Sequence, residues 1–131
     1  MNDAFAAPGG EGGCVNQVLY NPAQRAAEYR LMEWCETRDV ALMAYSPLYQ
    51  GSIFQDAVLE QIADRHHVTT AALAITWTMR FPNIVSIPKA TAPKHVRACA
   101  AARDVALMEE NLDAIDRAFP PPSPGARLAI D

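Results

Sequence analysis

The feature that most constrains this 131-residue chain is the stretch Val40-Ala41-Leu42-Met43-Ala44-Tyr45, an apolar run with no polar alternation, broken by Ser46-Pro47. A strand with one wet face alternates apolar and polar residues; an uninterrupted run is the pattern of a strand covered on both faces, as in a parallel sheet. Two further runs read as strands: Cys14 to Tyr20, stopped by Asn21-Pro22, and Ile84 to Ile87, closed by Pro88. Helical patterns separate them. From about Arg25 to Arg38, Ala27, Leu31, Trp34 and Cys35 fall on one face, with Arg38 in the last turn, where a cation suits the helix dipole. A loop through Gly51 leads to a helix near Asp56 to His66, apolar at Val58, Leu59, Ile62 and Ala63. Thr69 then suits the cap of a helix reaching Met79 or Arg80. Its apolar residues point almost all round, which predicts deep packing. Phe81-Pro82-Asn83 ends it. Pro93 opens a helix to about Arg103, and Leu112, Ile115 and Phe119 mark a last one before Pro120-Pro121-Pro122. Strands that alternate with helices imply right-handed crossovers and an α/β fold with three parallel strands.

Composition narrows the function classes. Half the residues are apolar and a fifth charged, as in one globular domain, and the formal charge of −4 offers no electrostatic reason for nucleic acid or an anionic membrane as partner. No apolar run approaches the about 20 residues that span a bilayer. Residues 1–13 lack the basic flank and apolar stretch of a signal peptide; the glycines from Gly9 to Gly13 predict a flexible segment without a regular element. The expected division is this segment, a domain over 14–119, and a loosely held Pro-rich tail over 120–131. Cys14, Cys35 and Cys99 are odd in number and sit in apolar segments, so they read as reduced packing residues of a cytoplasmic protein. His66 and His67 end a helix and supply too few ligands for a metal. Glu109 and Glu110 fall in a first helical turn and read as dipole partners, not as an acid–base pair.

Three segments carry more. Val15-Asn16-Gln17-Val18-Leu19-Tyr20-Asn21-Pro22, then Ala44-Tyr45-Ser46-Pro47-Leu48, then Ile87-Pro88-Lys89-Ala90 followed by Pro93 to Arg97, resemble in order and spacing the sixth, seventh and eighth strands of the aldo-keto reductase family. The resemblance runs from about Cys14 to Phe119. It implies a partial (β/α)8 TIM barrel, because three strands fall short of the eight of a complete one. It also implies an NADPH-dependent oxidoreductase ancestry, with reduction of aldehydes and ketones as the parent activity. The family's catalytic Asp, Tyr, Lys and His come from the first half of the barrel. No residue here matches any of them, so the chain is expected to be a truncated member without catalysis of its own.

The same resemblance implies roles on the cofactor side. Tyr45 would stack on the nicotinamide and Gln17 would hydrogen-bond its carboxamide, an amide offering both donor and acceptor. Ser46 and Leu48 would bring backbone N–H groups towards the pyrophosphate. Lys89, His95 and Arg97 would face the 2′-phosphate beside a helix N-terminus. The alternatives are core packing for Tyr45, an ordinary buried amide for Gln17 and a solvated surface cation for Lys89. The chain departs from the family in places. Ala90 stands where a hydroxyl residue is common, His95 where arginine is, and Ala98-Cys99 where a Glu-Asn pair meets the adenine. Met108 replaces the usual Ser or Thr cap of the last helix, a loss of roughly 1 kcal/mol. These changes predict weak binding, with NADH as an alternative to NADPH.

A second expectation is a non-catalytic interaction module or auxiliary subunit that completes a barrel with a partner, because bare strand edges invite association. A third is a longer gene product of which this frame is the late part.

Overall fold

The computed structural model describes residues 2–129. Its centre is a parallel sheet of β1 (Val15–Leu19), β2 (Ala41–Tyr45) and β3 (Ile84–Ser86) in that spatial order. Gln17 lies opposite Met43, and Met43 opposite Val85. The helices are α1 (Asn2–Ala6), α2 (Leu31–Glu36), α3 (Ala57–Arg65), α4 (Thr70–Thr78), α5 (Pro93–Ala100) and α6 (Glu109–Ala118). This is the expected α/β arrangement of three parallel strands with flanking helices.

One face of the sheet forms the core. Val18, Leu42, Ala44 and Ile84 point to the helices and join Leu31, Cys35, Leu59, Ile62, Leu73, Trp77 and Ile115 in one buried cluster. Helix α4 is buried at Ala72, Leu73, Ala74, Ile75, Trp77 and Thr78, which accounts for its apolar residues all round. Asp56 caps α3 by accepting from the N–H groups of Val58 and Leu59, and Thr69 caps α4 by accepting from Ala72. Each satisfies donors that a helix start leaves unpaired.

The other face differs from the expectation. Strand β2 was read as covered on both sides, yet only Leu42 and Ala44 are fully buried, while Ala41, Met43 and Tyr45 are half-buried. Beside them Val15 and Val85 are each 49% exposed and Ile87 38%. Apolar residues here suit a second layer, yet Val15, Gln17 and Val85 on this face stand exposed, while Leu19 opposite Tyr45 is buried.

The helix expected over Arg25–Arg38 is two pieces. A 3-10 turn, Ala26–Glu28, precedes α2, and Arg30 between them takes a left-handed φ of 68°. The interruption has a tertiary cause. Glu28 accepts from both Arg25 (Nη2 2.9 Å) and Arg80 (Nη2 2.7 Å), and Tyr20 donates its hydroxyl to the same carboxylate at 2.8 Å. Arg25 continues to Asp116 and to the carbonyl of Phe119, 2.7 and 2.6 Å away. A clamp of two guanidiniums therefore joins the segment after β1 to α4 and to the end of α6. Arg38 lies beyond α2 and covers the Trp34 ring at 4.5 Å instead of ending the helix.

Three smaller differences follow. The segment expected to lack regular structure holds α1 and a 3-10 turn at Gly10–Gly12, and Phe5 meets Trp34 edge-on at 5.2 Å. Cys14 is exposed, not packed. The α6 start lacks a capping side chain at Met108, as expected, but the Asn111 amide oxygen reaches back to the Met108 N–H at 3.1 Å and also meets His66 Nε2 at 3.0 Å.

Candidate functional site

The carboxyl ends of β2 and β3 build the site. After Tyr45 the chain turns sharply: Ser46 has φ 48°, and Tyr49, Gln50 and Gly51 follow at 43°, 53° and 90°. Non-glycine residues in this region are strained and persist where their surroundings hold them. Asn21 supplies that hold for Ser46. Its amide is fully buried, donates to the Ser46 carbonyl at 2.9 Å and accepts from the Ala23 N–H at 3.0 Å. The Asn21-Pro22 pair thus does more than stop a strand. Tyr49 is tied down in turn by the Gln24 side chain, which donates to its hydroxyl at 3.2 Å.

A cleft of about 390 Å³ opens between the loop after β2, the start of α4 and helix α5. Its apolar wall is Leu48, Phe54, Ala71, Ala90, Ala98 and Cys99. Thr69, Thr70, Lys89 and His95 supply its polar groups. Burial pushes the Cys99 thiol above its ordinary pKa, so it stays neutral in this cleft.

Of the residues singled out in the sequence, Leu48, Lys89 and His95 come together in this cleft. Gln17 and Tyr45 lie on the open face of the sheet, Gln17 exposed and Tyr45 half-buried. A buried-amide reading of Gln17 is therefore excluded. Ser46 joins the sheet face to the cleft along the chain. Arg97 is exposed on α5 and does not line the cleft. Phe54 and Thr69-Thr70-Ala71 are site residues that sequence reasoning missed. Thr69 had drawn notice only as a cap, and Phe54 is an isolated aromatic in a loop without periodicity. Among the described residues no three His, Cys, Asp or Glu side chains gather as metal ligands, and no helix is long and apolar enough to cross a membrane.

Comparison with known proteins gives this geometry a context. The chain is similar to the methylglyoxal reductase YeaE of Escherichia coli, 35% identical over 100% of this chain and 47% of that protein. It is 33% identical to the glyoxal reductase of Bacillus subtilis over 78% of this chain and 36% of the relative. A solved aldo/keto reductase of Klebsiella pneumoniae, in complex with NADP and acetate, superposes on 100% of this chain with a TM-score of 0.96 and 37% identity, over 48% of its own length. The chain spans about half the length, or less, of these relatives. The pattern of the Aldo/keto reductase family matches residues 13–119, and the chain belongs to that family.

Proposed function

We propose that this chain forms the cofactor side of a carbonyl reductase site and binds NADPH across the carboxyl ends of its strands. The observation that carries the reading is the placement of Lys89 and His95 at an apolar cleft beside the ends of β2 and β3. Ligands of parallel α/β folds bind at such ends. The residues present fit a dinucleotide phosphate in both charge and shape: cations for phosphate, an apolar wall for a base, and an aromatic ring at the sheet for the nicotinamide.

The roles divide as follows. Lys89 gives the 2′-phosphate a compact positive charge, with His95 beside it and Arg97 as a more distant cation. Leu48 and Ser46 lead the backbone past the pyrophosphate. Tyr45 offers a flat apolar backing to the nicotinamide, and Gln17 fixes its rotation through the carboxamide. When bound, the nicotinamide supplies a hydride for carbonyl reduction. Ala90 removes one phosphate donor, so NADH is expected to compete better than in relatives with a hydroxyl there.

The order of the three motifs supports a place for residues 14–119 in the carboxyl-terminal part of the family barrel. On this reading the Asp, Tyr, Lys and His that move the proton are not among these residues, and the chain alone performs no carbonyl reduction. The methylglyoxal and glyoxal reductases among the relatives support small 2-oxoaldehydes as the substrate class of the whole site. Free cysteines, Cys14 among them exposed, suit a reducing compartment such as the cytoplasm.

The test is titration with NADPH and NADH, followed by cofactor fluorescence and thermal unfolding. A ligand at about 100-fold excess over its Kd stabilises the folded state by about 2.7 kcal/mol. Lys89→Ala is expected to weaken NADPH by roughly tenfold or more, the usual worth of a charge-assisted contact, and to leave NADH within about twofold. Equal affinities of wild type and variant for NADPH would contradict the assignment.

The open sheet face favours a second reading, a non-catalytic module that binds a barrel-completing partner or itself. Val15, Val85 and Ile87 stand on it, and both outer strands keep a free edge among the described residues. Concentration-dependent association that NADPH does not alter would support it.

A further inference from the structure

Two side chains from the turn after β1 fasten the loop after β2, and neither of them lines the cleft. Asn21 and Gln24 first close this turn on each other. The Gln24 N–H donates to the Asn21 carbonyl at 3.0 Å, and the Asn21 N–H donates to the Gln24 carbonyl at 3.3 Å. The buried Asn21 amide then crosses to the Ser46 carbonyl, and the Gln24 amide crosses to the Tyr49 hydroxyl. The Ser46 carbonyl also accepts from the Tyr49 N–H at 2.9 Å, so both of its lone pairs are used and its direction is fixed. Ser46 and Tyr49 are both non-glycine residues at positive φ, a region that such residues leave when nothing holds them. Pro47 between them has no N–H. The Leu48 N–H is therefore the first donor after the strained serine, and it meets no acceptor among the described residues.

Resting on the cofactor reading, we infer that Asn21 is a positioning residue for the dinucleotide: its amide holds the Ser46 backbone so that the Leu48 N–H is aimed at the pyrophosphate, which Asn21 itself does not touch. A donor already in place costs nothing to reorganise when the ligand arrives. A loop free to relax must be returned to its binding shape by the ligand, and apparent affinity falls by the fraction of chains that hold that shape. Gln24 plays the same part at Tyr49, through a longer hydrogen bond, 3.2 Å, from a less buried side chain.

Asn21→Asp separates the two bonds of the amide. A carboxylate still accepts from the Ala23 N–H but has no proton to donate to the Ser46 carbonyl. By fluorescence titration its affinity for NADPH is expected to fall about tenfold or more, the worth of one buried hydrogen bond. Adenosine 2′-phosphate carries the phosphate assigned to Lys89 but no pyrophosphate. Calorimetry should find it bound by wild type and variant within about threefold of each other. A merely structural role would weaken both ligands together. Gln24→Ala leaves Asn21 in place and decides the matter where Asn21→Asp does not fold; it should weaken NADPH by about three- to fivefold. A wild type that binds NADPH, with variants that bind it equally well, would overturn this inference alone. Equal weakening of NADPH and adenosine 2′-phosphate would overturn it too. Failure of the wild type to bind NADPH would overturn the cofactor reading, and this inference with it.

Discussion

Glu28→Ala is expected to destabilise the chain by about 3–5 kcal/mol, the range for removing one partner of a buried ion pair. The Glu28 side chain is 14% exposed and serves Arg25, Arg80 and the Tyr20 hydroxyl together. Without it two guanidiniums, 6% and 13% exposed, lose a carboxylate partner, and only Arg25 keeps a second one, Asp116. The measurement is urea unfolding, with a lower midpoint at unchanged slope as the expected result. A loss below about 1 kcal/mol, as for a surface pair, would show that the clamp is ornamental. The pH dependence has a definite sign. Burial alone would raise the Glu28 pKa, but the hydrogen bonds from Arg25 and the charge of Arg80 outweigh it and hold the carboxyl below the usual carboxylate range. Its contribution is therefore complete above the unfolded value of about 4.3 and is lost as pH falls through the lower folded value. Glu28→Gln should remove that part of the acid sensitivity, so that wild type and variant converge in stability at low pH. Burial drives the Tyr20 phenol far above its ordinary pKa, with Arg80 opposing and Glu28 reinforcing, so it remains a donor throughout.

Trp77→Ala is expected to cost a similar amount, about 3–5 kcal/mol, by a different route. Trp77 is fully buried on α4, stacks with Tyr20 at 5.4 Å between centroids, and carries Arg80 at 3.7 Å and Arg25 at 5.1 Å from its ring centre. Its removal leaves a cavity and strips both guanidiniums of an aromatic neighbour. The indole N–H meets no hydrogen-bond acceptor among the described residues. Trp77→Phe therefore keeps a ring, gives up no hydrogen bond and should cost much less than the alanine variant. Because Trp77 and Glu28 hold the same arginines, the double variant should lose less than the sum of the two single losses, and a double-mutant cycle measures that coupling. Strict additivity would mean that the clamp and the ring act independently.

Much of the fold was legible because its strongest signals are local. The unalternating run at Val40 to Tyr45, the Thr69 cap and the all-round apolar α4 each follow from short-range pattern, and all three stand in the structure. The split of the helix expected at Arg25 was not legible. It depends on Arg80, 52 residues beyond Glu28, and on Asp116, 91 residues beyond Arg25. No local pattern encodes partners so distant. The single-sided cover of the sheet was missed for a related reason: an apolar face looks the same in sequence whether or not a second layer lies over it.

The candidate site was legible where a motif names it. Lys89 and Leu48 stand in motifs that carry the family resemblance, His95 departs from the family within its segment, and all three meet in one cleft. Phe54 gave no signal because a lone loop aromatic has neither periodicity nor motif. Its place becomes visible only once Gly51 and the Tyr49–Gln55 turn are folded. Arg97 shows the reverse case, a residue next to the motif in sequence that α5 leaves outside the cleft.

The most direct test of the central claim is one experiment on the purified chain: NADPH fluorescence and NADPH absorbance recorded together while methylglyoxal is added. The account predicts a saturable fluorescence change on binding, reversed by excess NADP, with no consumption of NADPH above the protein-free rate. Steady oxidation of NADPH would contradict the claim that the proton-transfer groups lie outside these residues. Absence of any saturable binding would contradict the claim that they form the cofactor side of the site.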